Sequence, residues 1–207
     1  VIVPILPIYE LPLITLGVKS LSKHVHKFLK FKKLNQVVLV GNSLGGHVGL
    51  VFTCAHQEFV KALVLTGSSG LYENAFGGSF PRRESYDYIK EKVEFTFFDP
   101  ATATKELVDE VFRSVNDRSR VIRILALAKS AIRHNMAKDL PKITIPVSLI
   151  WGKQDKITPP EVAVEFHELF PNSELNWVDE CGHAPMLERP AIFNEFLDRF
   201  LHRVLLK

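Results

Sequence analysis

The feature of this chain that most constrains its fold is the alternation of short apolar runs with longer segments of helical periodicity. An apolar run rich in β-branched residues is typical of a strand covered on both faces. Strands separated by helices form βαβ units, in which the strands lie parallel. The sequence therefore predicts an α/β fold with a mostly parallel sheet and helices on both faces, and we expect its strands at residues 1–3, 36–40, 62–65, 147–151 and 175–178.

The segments between these runs carry apolar residues on one helical face. In the first, KSLSKHVHKFLKFKK, Leu21, Val25 and Leu29 recur at helical spacing and lysines take the opposite face. The lysines fit either a patch for an anionic partner or a solvated helix face, and the amphipathic period favours the solvated face. Further helices are expected at about residues 45–55, 160–170 and 191–204.

Residues 71–138 interrupt the alternation. They contain no convincing strand, begin with a stretch that includes glycine and proline, and continue in a helical pattern. Nine aromatic residues fall within them, which fits equally a small helical lid over a pocket and rings that only pack an insertion onto the body. We predict a core of residues 1–70 and 139–207 and a helical cap of residues 71–138.

Composition narrows the class of function. A chain of 207 residues, 46% apolar and 24% charged, is expected to fold as one globular domain with room for an insertion. A net charge of +3 lacks the concentrated excess that a nucleic-acid surface needs. Cys54 and Cys181 are too few and too far apart for a disulfide framework or a metal site, which favours a cytoplasmic location. Three prolines in the first 18 residues argue against a signal peptide or membrane span there.

A serine stands where a strand is expected to turn into a helix. Gly41-Asn42-Ser43-Leu44-Gly45 follows the apolar run QVVLV and precedes a helical segment, the context in which a G-x-S-x-G motif has meaning. Such a turn holds the serine in a strained conformation above the sheet, and we expect that a Cβ at Gly41 or Gly45 would collide with a neighbouring element. The alternative is a glycine-rich turn in which Ser43 only caps the helix.

An acid and an imidazole follow two later strands. Asp155 lies just after VSLIW and His183 just after LNWV. Because parallel strands end at one edge of a sheet, Ser43, Asp155 and His183 are expected to converge there. A serine hydroxyl becomes a competent nucleophile only when an adjacent base takes its proton. Asp179 is a rival acid, but it is less favoured because it lies four residues from the histidine on the same segment.

Three segments, VLVGNSLGGHVGL, LIWGKQDKITPP and VDECGHAPMLERP, resemble the α/β-hydrolase fold superfamily in order and spacing, and the resemblance runs from the first strand to the last helix. It implies that Ser43 is the nucleophile, His183 the general base and then acid, and Asp155 the carboxylate that fixes the imidazole. The backbone N–H of Leu44 would be one oxyanion donor. The resemblance implies no metal and no organic cofactor, and a serine at position 43 disfavours epoxide hydrolase and haloalkane dehalogenase activity.

The resemblance also implies a second oxyanion donor, from a loop after the third strand of the family fold. No matching His-Gly loop occurs in this sequence. We expect either that the sequence is a fragment, the alternative we favour, or that residues 1–3 pair directly with the next strand and leave the oxyanion hole incomplete. Loss of one donor typically costs about 3–4 kcal/mol of transition-state stabilisation.

Within the superfamily the chain is most similar to meta-cleavage-product C–C hydrolases and related esterases, through GNSLGG, FDPATATKELVDEVF and CGHAPMLE. It departs from those hydrolases at Ala184, where they tend to have tryptophan, and at Val111, the best match for their cap arginine, with Arg113 two residues on. We therefore expect hydrolysis of a small ester or acyl compound. The alternatives are C–C bond hydrolysis and, if the chain is complete, a binding protein of hydrolase fold. A homodimer is possible.

Several other polar residues are expected to be structural. His47 is predicted to pack at the start of its helix, Ser68 and Ser69 to form the hinge into the cap, and Cys181 to be a packed turn residue. Four basic residues could bind an acidic substrate, but charged residues of an insertion are more often exposed to solvent. They are Arg82, Arg83, Arg133 and His134.

Overall fold

A single parallel sheet forms the centre of the protein. The computed structural model describes residues 1–73 and 82–206. The strands are β1 (Val37–Asn42), β2 (Val60–Thr66), β3 (Val147–Gly152) and β4 (Ser173–Val178), in the spatial order β1-β2-β3-β4 with every neighbouring pair parallel. The carboxyl ends of all four strands therefore lie at one edge, as the α/β prediction requires.

The strand predicted at residues 1–3 is wrong. Val1, Ile2 and Val3 form no strand; all three are exposed and lie along an apolar groove beside the outer edge of β1. The apolar pattern identified residues able to line a sheet, but Pro4 and Pro7 lack the N–H donors that a longer ladder would use. The described residues thus contain four of the five predicted strands.

Helices cover both faces of the sheet. Alternate residues of β2 show this: Leu63 and Leu65 pack into a cluster with the helices Leu44–Ala55 and Pro160–Leu169, whereas Ala62 and Val64 pack against the helix Pro190–Leu205. The lysine face of the first helix, Val18–Phe31, is exposed, as expected for a solvated face. The helices that flank the sheet are α1 (Val18–Phe31), α2 (Leu44–Ala55), α6 (Pro160–Leu169), the short α7 (Pro185–Glu188) and α8 (Pro190–Leu205).

The described part of residues 71–138 is helical, as predicted, and contains no strand. It forms α3 (Tyr86–Glu94), α4 (Lys105–Asn116) and α5 (Arg118–Arg133). The side chains of Ser85, Thr104 and Asp117 accept hydrogen bonds from the first turns of these helices, which explains where each begins. Their small core contains Ile89, Val93, Val108, Val115 and Val121.

The segment also contacts the body through α5, whose Leu127 and Ala131 join the cluster around α1. Phe76 and Phe80, two of the nine aromatic residues, lie outside the described residues. Within residues 1–73 and 82–206, no helix combines the length and apolar character needed to cross a membrane.

Candidate active site

Ser43 occupies the turn between β1 and α2 with a strained backbone. Its φ of 50° and ψ of −121° lie in a region that residues with a side chain rarely adopt. Its N–H donates to the Thr66 carbonyl at 3.1 Å, so the end of β2 holds the turn in place. The Ser43 side chain makes no capping hydrogen bond to α2. A helix-capping role therefore does not account for this serine.

Close backbone approach explains two glycines of the turn. A Cβ on Gly41 would lie 2.6 Å from the Gly46 nitrogen, and one on Gly46 would collide with the Ser68 side chain. The expectation for Gly45 is wrong, because a Cβ there meets nothing within 4 Å. The motif spacing pointed to Gly45, but the glycine against which β1 and the Ser68 loop pack is the next residue, Gly46.

Asp155 and His183 meet at the same edge of the sheet. The Asp155 Oδ2 atom lies 2.9 Å from His183 Nδ1, and both side chains are buried. The other oxygen, Oδ1, accepts from the backbone N–H groups of Ile157 and Thr158 at 2.8 and 3.0 Å. The Thr158 hydroxyl donates to Oδ2 at 2.7 Å. This carboxylate is thus held in one orientation towards the imidazole.

The His183 loop packs directly on the Ser43 turn. Asn42, which precedes the serine, donates through Nδ2 to the carbonyls of Thr66 and His183, both at 3.0 Å. A Cβ on Gly67, which has a φ of +48°, would lie 2.8 Å from His183 Nδ1. The ends of β1 and β2 therefore fix the position of the histidine backbone and ring relative to Ser43.

The rival acid Asp179 points elsewhere. Its side chain is 72% exposed and pairs with Lys153 Nζ at 2.6 Å. An exposed carboxylate already paired with lysine has little influence on a buried imidazole. The geometry therefore favours Asp155 as the partner of His183.

A sequence profile of the alpha/beta hydrolase family matches residues 12–196. This chain belongs to the alpha/beta hydrolase family. A solved structure of this fold, MGS-MChE2, an alpha/beta hydrolase enzyme from the metagenome of sediments from the lagoon of Mar Chica, Morocco, is 42% identical to it. The two superpose with a TM-score of 0.77, covering 97% of this chain and 76% of the other. The family resemblance seen in the sequence is confirmed.

Two curated relatives of this chain are named for different substrates. The 2-hydroxy-6-oxo-6-(2'-aminophenyl)hexa-2,4-dienoic acid hydrolase of Metapseudomonas resinovorans is 29% identical over 87% of this chain and 65% of its own length. The monoacylglycerol lipase ABHD6 of Bos taurus is 27% identical over 91% of this chain and 62% of its own length. The chain therefore spans just under two thirds of each of these relatives.

One further acid of this chain lies near the site. Burial raises the pKa of the Glu73 carboxyl above its usual value, and the nearby His183 opposes that shift. No group of three or more His, Cys, Asp or Glu side chains suited to a metal ion occurs in the described ranges.

The residues expected to be structural have clear surroundings. His47 is fully buried and its Nε2 lies 3.0 Å from His134 Nδ1, a partner that the sequence did not suggest. Burial lowers the pKa of His47 to about 4 and raises that of the Cys181 thiol to about 12, so neither is charged near neutral pH. Ser68 and Ser69 are buried after β2, and the Ser68 hydroxyl donates to the Ser69 carbonyl at 2.8 Å.

The basic residues considered for an acidic substrate lie in different surroundings. Arg83 pairs with Glu84 at 3.1 Å, and Arg82 is exposed. Arg133 and His134 line a groove between α5 and the start of α1. Arg113, two residues from the position of the expected cap arginine, is exposed.

Proposed function

We propose that this chain is a serine hydrolase that cleaves a carboxylic ester or related acyl bond through an acyl-serine intermediate. The observation that carries the proposal is the buried hydrogen bond between Asp155 and His183, formed where the turn of Ser43 is held at positive φ. A buried acid–imidazole pair beside a strained serine is the arrangement that nucleophilic acyl transfer requires.

The proposed reaction follows from the order of these groups. The Ser43 Oγ atom attacks the substrate carbonyl carbon while His183 Nε2 takes the hydroxyl proton, and Asp155 stabilises the imidazolium through Nδ1. The oxyanion accepts a hydrogen bond from Leu44 N–H, since the first N–H groups of α2 have no acceptor within the helix. His183 returns the proton to the leaving alcohol. Water, deprotonated by the same imidazole, then releases the acid and restores Ser43.

Ester cleavage is the first candidate because it needs no substrate-specific groups beyond these. The second candidate is C–C bond hydrolysis, which the relative acting on a hexa-2,4-dienoic acid favours. Ala184, rather than the tryptophan of those enzymes, directly follows His183, and Val111 stands where their cap arginine is expected. We therefore place ester hydrolysis ahead.

The remaining features stay predictions. We propose that residues 71–138 act as a cap over a small-molecule substrate. We also expect no nucleic-acid partner and a cytoplasmic location, and we leave open a homodimer.

Covalent labelling tests the nucleophile. A fluorophosphonate probe is expected to modify the wild-type chain and the Ser69→Ala variant but not Ser43→Ala. Ser69 is a suitable control because it is a buried serine at the neighbouring strand end. Equal labelling of wild type and Ser43→Ala, or no labelling of either, would contradict the proposal.

A matched pair of variants tests the acid. Asp155→Asn is expected to lower kcat for nitrophenyl esters by about 10⁴-fold, because the amide favours the wrong imidazole tautomer. Asp179→Asn should change kcat less than twofold, since its side chain is exposed and paired with Lys153.

A panel of coloured dienoate substrates separates ester hydrolysis from C–C hydrolysis. Turnover of these compounds without turnover of nitrophenyl esters would favour C–C hydrolysis.

A further inference from the structure

A buried carboxylate outside the proposed triad binds the loop that carries His183. Glu188, at the end of α7, is only 7% exposed. Its Oε1 atom accepts from the N–H of Gly182 at 2.9 Å and, more weakly, from that of Ala184 at 3.4 Å. A buried charge is tolerated when several donors satisfy it, and charge-assisted bonds are about twice as strong as neutral ones.

The second oxygen of Glu188 faces a different part of the chain. Oε2 accepts from the N–H of Phe98 at 2.7 Å, and Phe98 belongs to the segment between α3 and α4. In the same segment, the Thr96 carbonyl accepts a hydrogen bond from the N–H of His183 at 3.0 Å. A Cβ on Gly182 would lie 2.8 Å from atoms of both Thr96 and Phe98. One carboxylate thus joins the histidine loop to residues 96–98.

We propose that Glu188 is a positioning residue that links the His183 loop to residues 96–98, so that the imidazole keeps its position only while this part of the predicted cap is docked. The inference rests on the proposed role of His183. Between Cys181 and Ala184 every backbone N–H has an acceptor, and Glu188 supplies two of the four. The position of the loop therefore depends on residues outside it, two of whose contacts come from Glu188.

The chemistry predicts what an amide does at this position. Glutamine has the shape of glutamate, but its NH₂ group is a donor. That NH₂ group would face either the Phe98 N–H or the N–H groups of Gly182 and Ala184. Because two donors cannot form a hydrogen bond with each other, one side of the link is lost. A displacement of about 1 Å in a catalytic group costs up to about 100-fold in rate. We expect Glu188→Gln to lower kcat by about 10- to 100-fold and to leave KM within about threefold.

The control is Glu180→Gln, the same substitution in the same loop at a side chain that is 72% exposed. It should leave kcat, KM and hydrogen exchange as in the wild type. Nitrophenyl ester kinetics and residue-resolved amide exchange are measured on the full chain. In Glu188→Gln the amides of Gly182 and Phe98 should both exchange faster, because loss of either side of the link lets the His183 loop and residues 96–98 separate, whereas the amides of the β2–β3 pairing should not.

The outcomes separate this inference from the proposed function. Wild-type esterase activity that disappears in Ser43→Ala supports the proposed function. Absence of esterase activity in the wild type contradicts the proposed function but not the Glu188 link, because amide exchange measures the link without turnover. Unchanged kcat and exchange in a folded Glu188→Gln would overturn the inference, as would equal losses in kcat and affinity. If Glu188→Gln does not fold, exchange in the wild type decides: unequal protection of Gly182 and Phe98 overturns the link, and joint opening supports it.

Discussion

At the scale of single residues, Asp155 is distinguished by the number of hydrogen-bond donors around its carboxylate. Asp155 accepts from two backbone N–H groups, from the Thr158 hydroxyl and from the His183 ring. The Thr158 oxygen also lies 3.3 Å from His183 Nδ1. The hydroxyl proton of Thr158 is directed to Asp155, so only a lone pair of the Thr158 oxygen faces the N–H group at His183 Nδ1. The threonine therefore orients both members of the pair.

Replacing that hydroxyl by a methyl group tests its contribution. Thr158→Val keeps the shape of the side chain and leaves one Asp155 oxygen short of a donor. A hydrogen bond to a charged group contributes about 1.5–3 kcal/mol, so we expect kcat to fall by at least about tenfold with little change in KM. Thr158→Ser should retain most of the activity. Steady-state ester kinetics give both values, and equal kcat for the valine variant and wild type would refute the role.

His47 gives the protein a dependence of stability on pH. Its pKa in the folded chain is about 4, below the ordinary 6.5, mainly because of burial; the charge of His134 lowers this pKa further, and a hydrogen bond with His134 opposes the shift. The unfolded state therefore binds more protons between pH 6.5 and about 4, so stability falls as pH falls through that range. One pKa unit corresponds to about 1.4 kcal/mol, which gives a loss of about 2–3 kcal/mol at the acid end.

Urea unfolding of wild type and His47→Gln measures this effect. The variant should lose less stability than the wild type between neutral pH and pH 4. His134, also lowered in pKa by burial and by Lys19, and the nearby Asp139 titrate in both proteins, so the difference between the two pH profiles reports His47 together with its coupling to His134. Parallel profiles would show that His47 is not the group responsible.

At the scale of elements, α2 contains two adjacent glycines with opposite expected responses to alanine. Gly45→Ala adds a methyl group to open space, and we expect it to stabilise the helix by up to about 1 kcal/mol. Gly46→Ala forces Ser68 to move from the end of β2 and should destabilise the fold by about 1–3 kcal/mol. Thermal or urea unfolding of the two variants checks the signs, and a shift in the same direction for both would contradict the packing.

Much of this architecture was predictable because period and apolarity report burial directly. The runs that became β1, β2 and β3 are mostly apolar on both faces, β4 mixes polar Ser173, Glu174 and Asn176 with apolar residues, and α1 shows one apolar stripe. The same pattern failed at residues 1–3, because apolarity shows that a segment can be buried but not that a partner strand is present. It also failed to distinguish Gly45 from Gly46, since that difference depends on how β1 and the loop after β2 approach the helix.

The candidate site was predictable to the extent that it follows from topology. Parallel strands end together, so residues after β1, β3 and β4 had to share an edge, and Asp155 and His183 do so. Thr158 lies three residues from Asp155, but no spacing rule marks it as a hydroxyl donor. Glu188 and Phe98 are 90 residues apart, so their contact depends on how the helical segment docks. Side-chain links of that kind depend on tertiary packing, which no local spacing rule predicts.

At the scale of the whole molecule, the outer edge of β1 is exposed. Among the described residues no strand pairs with that edge, and an apolar groove lies beside it, with Val40 51% exposed. Unpaired edges with apolar surroundings promote association. We expect the 207-residue chain to self-associate in a concentration-dependent manner and Val40→Lys to reduce the association.

Val164→Lys is the control, because Val164 is a similarly exposed valine, at 41%, on α6 rather than at the sheet edge. Sedimentation velocity across a concentration series distinguishes the variants. Association that is unaffected by Val40→Lys, or reduced equally by both substitutions, would place the contact elsewhere.

The backbone of Ser43 has a consequence for heat-resistance engineering. A positive φ at a residue with a side chain costs about 1–3 kcal/mol, and glycine adopts that conformation with little penalty. A library of variants at this position, screened only for survival of heating, should therefore enrich glycine over alanine and serine. Screening the same library for turnover should return serine alone. The two screens would then disagree at Ser43, because the proposed catalytic role requires serine and thermal stability favours glycine.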